Sequence, residues 1–156
     1  NGKKIVFVML GSGDRVMENR LKRIAAAHGN FLYLRGYSES LPDLLYKAGD
    51  LFLMPSSFEP CGISQMLAMR SGQPCVVHAV GGLRDTVVDG VTGFAFDGDS
   101  PRAQARNFVA AVDHALSLKS ADREAWTTVR ENAAAMRFSW RRAADAYLSE
   151  LYEFGD

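Results

Sequence analysis

The residues best equipped for chemistry lie in one run, Pro55-Ser56-Ser57-Phe58-Glu59-Pro60-Cys61-Gly62-Ile63-Ser64-Gln65. Gly62 has no Cβ and lets the backbone approach a ligand closely. If a helix begins here, the amides of Gly62, Ile63 and Ser64 lack partners within it and sit at the positive end of its dipole. That arrangement suits a phosphate. Glu59, just before them, repels phosphate, but its carboxylate accepts hydrogen bonds from sugar hydroxyls. The combination fits a sugar diphosphate better than a simple phosphate ester. The same residues also fit a plain connection in which Glu59 caps the helix and Pro55 and Pro60 shape the turn. Residue chemistry alone leaves both readings open.

Other reactive groups are weaker signals. Gly11-Ser12-Gly13 follows an apolar run as a dinucleotide fingerprint would, but Val16 stands where the third glycine belongs, so a tight turn is expected. His78 is expected as a partly exposed loop residue near the cleft, and His28 and His114 as surface residues on helices. No Ser-His-Asp arrangement can be argued from these positions. Cys61 has no histidine near it in sequence to make it a nucleophile, although a place at a helix start predicts some sensitivity to oxidation. Cys61 and Cys75 form no CxxC pair and no His cluster joins them, so no metal site is expected. Two reduced thiols are favoured over a disulfide. Asp85 is read as orienting the turn after Gly81-Gly82 rather than as a base. Trp126, Met136, Trp140 and Tyr147 recur at helical spacing and predict packing, not a platform for sugars.

The elements that must position these groups follow from the patterning. Short apolar runs at 5–10, 31–34, 50–54, 74–77 and 94–96 alternate with helix-period stretches. The first run is apolar on both faces, which suits a strand covered by helices on both sides. Helices are predicted from Asp14 to about His28 and at 41–47, 62–70, 83–88, 102–118, 121–136 and 139–154. Asp14, Ser38 or Ser40, and Ser139 are candidate caps, and Pro101 can open a helix. Strand–helix alternation implies a Rossmann-like, three-layer α/β domain with a mostly parallel sheet and right-handed crossovers. Ligands of such folds bind beyond the carboxyl ends of the strands. The loops at 11–14, 36–39, 55–62 and 78–83 therefore matter most.

Bulk properties narrow the function classes. A chain of 156 residues with 47% apolar and 23% charged residues fits one globular domain rather than a disordered segment. Eighteen basic residues balance eighteen acidic ones, so there is no electrostatic footprint for nucleic acid or an anionic membrane. The apolar stretch at 5–10 is strand-sized, so no membrane span is expected. The chain begins Asn1-Gly2-Lys3-Lys4 with neither an initiator Met nor a signal-peptide pattern, and is read as part of something longer.

Ser57-Phe58-Glu59-Pro60-Cys61-Gly62-Ile63 resembles the donor-site motif of glycogen and starch synthases. Val80-Gly81-Gly82-Leu83-Arg84-Asp85-Thr86-Val87 is similar to the second signature of that family, at a matching distance. Gly93-Phe94 fits the turn and strand after it. Ser139-Trp140 with Ala144, Tyr147 and Tyr152 resembles the closing helix. The likeness therefore runs through nearly the whole chain in the right order.

The resemblance implies the C-terminal, nucleotide-sugar-binding half of a GT-B glycosyltransferase, made of two Rossmann-like domains. It implies transfer of glucose from ADP-glucose or UDP-glucose to the non-reducing end of an α-1,4-glucan with retention of configuration, without metal or other cofactor. Glu59 would bind hydroxyls of the donor glucose as the catalytic-site acid residue. Backbone N–H groups near Cys61 and Gly62 would reach that sugar, Ile63 and Ser64 would meet the phosphates, Pro60 and Gln65 would belong to the same donor site, and Tyr37 would pack near the adenine. Gly81, Gly82 and Leu83 would line the cleft between acceptor and donor. Leu67 stands where many relatives of the fold carry a second Glu for ribose, which narrows the subfamily. The family's first strand and helix of this domain, with an Arg and a Lys for the diphosphate, have no counterpart here. Nor does the N-terminal domain. The expectation is a single domain over 1–156 with little or no activity alone, its partners being the donor, an α-glucan and that missing domain. A cytoplasmic location is expected, or a plastid in a plant. The alternatives are a regulatory module that kept the fold, or another GT-B hexosyltransferase.

Overall fold

The structure, a computed structural model, describes residues 5–38 and 40–151. The chain divides into two compact units, Asn1–Leu45 and Tyr46–Asp156.

In the first unit, β1 (Phe7–Gly11), α1 (Arg15–Ala27) and β2 (Phe31–Arg35) form a βαβ crossover. The strands are parallel, with Phe7 opposite Phe31 and Gly11 opposite Arg35. Asp14 caps α1 as expected, its carboxylate accepting from the amides of Val16 (3.0 Å) and Met17 (3.1 Å). Tyr33 Oη donates to the Gly11 carbonyl at 3.2 Å. The strand expected to be covered on both faces is instead open, with Val8 42% and Met9 43% exposed. The reason is local: β1 pairs with β2 alone, and α1 packs on β2.

Glu18 is the one buried residue of α1. Its carboxylate accepts from the Gly13 amide at 3.1 Å and from Arg35 Nε at 2.7 Å, so it ties the turn after β1 to the end of β2. The Gly13 amide, and after it Arg35, hold this carboxyl below the ordinary glutamate value. A carboxyl depressed in the folded state stabilises above its unfolded value, and that contribution is lost as pH falls through the folded one. We expect amide protection in residues 11–14 to drop on acidification below the usual glutamate range. Glu18→Gln should lower the protection at neutral pH and flatten the dependence. An unchanged acid profile in the variant would remove Glu18 from this role.

In the second unit, β3 (Phe52–Met54), β4 (Cys75–His78) and β5 (Gly93–Phe96) make a parallel sheet in the order β3-β4-β5. α2 (Leu41–Ala48) precedes β3 along the chain. α3 (Ser64–Arg70) links β3 to β4, and α4 (Gly81–Thr86) links β4 to β5. α5 (Pro101–Ala121), α6 (Arg123–Ala135) and α7 (Trp140–Leu151) follow.

Alternation along the strands makes two cores. Cys75 and Val77 face one side with Ala68, Met69, Leu83 and Val87, joined by Phe52 and Met54. Val76 faces the other with Phe94, Phe96, Val112 and Ala115, joined by Leu51 and Leu53. So α3 and α4 cover one face and α5 the other, while α6 reaches both through Ala133 and through Trp126 and Val129. Trp126 stacks on Phe94 at 6.3 Å. Burying side chains of this size stabilises by about 1.5–3 kcal/mol each.

Several helix ends differ from expectation, each with a visible cause. α4 begins at Gly81 itself, because the Leu83 amide already bonds the Val80 carbonyl. α5 continues to Ala121 because Asp122 serves both as its C-cap and as the N-cap of α6, accepting from the Ala125 amide at 2.9 Å. Ser100, immediately before Pro101, caps α5. Met136 packs on the core as predicted, but Trp140 is 91% exposed and Tyr147 is exposed too. The packing expected of that pair is corrected: α7 buries none of its residues. Tyr152 and Phe154, at the predicted end of that helix, lie outside the described residues, as does Glu39. Both cysteines are free; Cys61 is exposed and Cys75 buried, and burial pushes the Cys75 thiol far up.

Candidate functional site

The loop at 55–63 leaves the carboxyl end of β3, where an α/β sheet receives ligands. Its carbonyls are held from within the second unit. The Ser56 carbonyl faces His78 Nδ1 at 3.0 Å. The Glu59 carbonyl accepts from the Gly82 amide at 3.1 Å. The carbonyls of Cys61 and Gly62 accept from Gln65 Nε2 at 3.2 and 2.8 Å. The same nitrogen reaches Thr86 Oγ1 at 3.1 Å, and that hydroxyl donates to the Gly82 carbonyl at 2.6 Å. Hydrogen bonds therefore run in sequence from the first motif to the second, each polarising the next.

Glycine makes this seating possible. A Cβ on Gly81, whose φ is +44°, would strike the Glu59 carbonyl oxygen. A Cβ on Gly82 would strike the Cys61 carbonyl oxygen and lie 2.6 Å from the Cys61 Cα. The two motifs are packed backbone on backbone. Gly62, at φ +73°, turns the chain into α3, and a Cβ there would meet the Gln65 amide group.

The exposed side of this loop carries the groups able to meet a ligand. Glu59 and Ser64 are half-buried, while Pro60, Cys61, Ile63 and Gly81 are exposed. α3 begins at Ser64, with Ile63 as a cap that has no side-chain acceptor, so no side chain occupies its first-turn amides. Tyr37 belongs to the first unit, where its ring is 89% exposed. Gln65 and Leu83 are fully buried: the Gln65 side chain ties the loop and the Leu83 side chain fills the core. Gly62 and Gly82 are buried as well, and act through their backbones.

His78 also departs from expectation. It is 3% exposed, ends β4, and stacks on Phe96 at 5.0 Å. The signal was present in the strand's alternation: His78 continues the face of Val76, which points into the core. Thr86 was missed because a threonine four residues after Gly82 has no distinctive spacing. His28 and His114 are exposed as predicted. Asp85 is exposed on α4. Among the described residues no group of three or more His, Cys, Asp or Glu is placed to hold a metal, and no helix is long and apolar enough to cross a membrane.

Residues 1–132 match the family described as glycosyl transferases, group 1. The chain is 38% identical to a glycogen synthase of Desulfitobacterium hafniense over 96% of its own length and 32% of that protein. It is 40% identical to a glycogen synthase of Streptococcus sanguinis, again over 96% of the chain and 32% of the relative. Its fold superposes on the catalytic domain of starch synthase IV from Arabidopsis thaliana, solved bound to ADP and acarbose. That match has a TM-score of 0.80 at 31% identity and covers 92% of this chain and 31% of the other. The chain thus spans about a third of the length of the curated relatives it matches.

Proposed function

The chain belongs to the group 1 glycosyl transferases, and on that premise we propose that it is the donor-binding domain of a retaining glucosyltransferase acting on an α-1,4-glucan. The donor is ADP-glucose or UDP-glucose, and the remainder of the enzyme supplies the facing half of the cleft. The observation that carries this reading is the backbone seating of residues 59–61 on Gly81 and Gly82. It brings both motifs to one edge of the sheet and leaves the first turn of α3 without a side-chain cap. The ADP in the starch synthase structure supports a nucleotide donor for this chain as well.

In this reading Glu59 accepts from hydroxyls of the donor glucose, and the backbone at Pro60, Cys61 and Gly62 borders the sugar. The amides of Ile63 and Ser64 meet the diphosphate, where fixed dipoles stabilise charge on the departing nucleotide. Gly81 and Gly82 keep the acceptor side free of side chains. Cations on the rest of the enzyme complete the neutralisation, so this chain alone should transfer little sugar. A cytoplasmic setting accords with this use of a soluble nucleotide sugar.

Calorimetric titration with ADP, UDP and the two nucleotide glucoses tests the reading. Binding to nucleotide diphosphates is expected. Glu59→Gln should weaken the sugar-bearing ligand by about tenfold and leave ADP unchanged, as loss of one charge-assisted hydrogen bond predicts. Equal weakening of both ligands, or no binding by the unaltered chain, would sink it.

A further inference from the structure

His78 is not explained by contact with a ligand, since it is almost wholly buried. Nor is it an ordinary core residue. Its ring is clamped flat against Phe96, with planes 11° apart, and both nitrogens face acceptors. Nδ1 lies 3.0 Å from the Ser56 carbonyl, at the start of the loop. Nε2 is buried and makes no hydrogen bond among the described residues, but lies at ion-pair distance, 3.5 Å, from Asp97 Oδ1, just after β5. A carbonyl can only accept, so Nδ1 must carry a proton. A neutral ring then turns a lone pair toward a carboxylate. Only the doubly protonated ring satisfies both sides.

We propose that His78 is a positioning residue for the loop at 55–62, bridging the Ser56 carbonyl to the Asp97 carboxylate when both ring nitrogens are protonated. The proposal rests on the reading of that loop as the donor-binding loop. It makes the loop's anchorage depend on the proton that a buried ring holds between a carbonyl and a carboxylate.

The surroundings favour this arrangement. Asp97 is held ionised, its carboxyl kept below the usual aspartate range by the Gly98 amide and then by His78 and Arg84. Asp97 is itself fixed, its carbonyl accepting from Asn107 Nδ2 at 2.7 Å on α5. Asp97 faces the ring directly; Arg84 of α4 sits beyond, its Nε bonded to the Ala79 carbonyl at 2.9 Å. Asp99 and Arg106 border Asp97 on a shallow surface cleft at the start of α5. From α5 itself the packing on Phe96 is apolar, through Phe108.

The test compares the chain with Asp97→Asn and His78→Asn. Asp97 is largely exposed, so its replacement should not disturb folding. The His78→Asn side chain keeps an N–H for the Ser56 carbonyl but cannot titrate. Amide protection factors for residues 56–62 are measured by NMR from about pH 5 to 8, beside ADP-glucose affinity over the same range. In the unaltered chain both should fall as pH rises. In Asp97→Asn, protection at the acid end should drop roughly threefold, the scale of a partly exposed ion pair, and the pH dependence should flatten. His78→Asn should give a flat profile in both measurements. Protection factors and profiles indistinguishable among the three proteins would overturn the tether. If the loop loosens as expected while no nucleotide binds even to the unaltered chain, the tether stands and the donor reading falls.

Discussion

Gly82→Ala should weaken ADP-glucose binding by about a hundredfold and destabilise the second unit by roughly 2–3 kcal/mol, the range found when a methyl is forced into a packed interior. Gly82 has an ordinary backbone conformation, so the alanine would fit its φ and ψ without strain. The clash is with backbone: the new Cβ would overlap the Cys61 carbonyl oxygen and lie 2.7 Å from the Cys61 carbonyl carbon. Backbone cannot swing aside as a side chain can, so the 59–61 segment must lift off α4. That breaks the 3.1 Å bond from the Gly82 amide to the Glu59 carbonyl and moves Glu59 with it. Thermal unfolding and calorimetry of the variant measure both effects. If Gly82→Ala binds donor as the unaltered chain does, the seating has no functional weight.

Gln65→Leu should be nearly as severe, destabilising by about 2–4 kcal/mol. The shapes are close, so the loss is one of hydrogen bonding. Gln65 Nε2 serves the Gly62 carbonyl and the Thr86 hydroxyl in a buried setting and shares a hydrogen with the part-buried Cys61 carbonyl. Leucine leaves the buried Gly62 carbonyl and Thr86 hydroxyl without that donor, which costs more than the bonds themselves contributed. Donor affinity should fall with stability, because the Cys61–Gly62 turn is what the amide group holds. Gln65→Glu should be worse again, since it sets a carboxylate against two carbonyls. Denaturant unfolding of the three proteins decides it; a leucine variant as stable as the original would show that water or a shifted loop replaces the amide.

These two variants mark where residue patterning sufficed and where it did not. The run at 55–65 offered a ligand loop as one of two readings, because Gly, Pro and Glu have meanings that travel with the residue. Gly62 does sit at positive φ, and the loop does leave a strand at its carboxyl end. The second motif was legible through its resemblance to a family signature, a paired glycine by itself being a weak signal. Gln65, in contrast, was read as one more donor contact at a helix start. Nothing in its neighbours along the chain shows that Thr86, twenty-one positions later, closes over it. Leu83 looked like a cleft residue for the same reason, being next to Gly82 in the chain but turned into the core. Trp140 and Tyr147 erred the other way, since helical spacing promises an apolar stripe without saying what covers it.

Element type and order were therefore set by the sequence alone, through alternation in the strands, helical period between them and caps such as Asp14. So was the candidate chemistry of the loop after β3. Tertiary structure decided which polar side chains face solvent and which are spent inward. Local periodicity reports which way a residue points from its own backbone. Whether a distant segment then arrives to bury it, as Thr86 does for Gln65 and Phe96 for His78, depends on contacts between residues far apart in the chain.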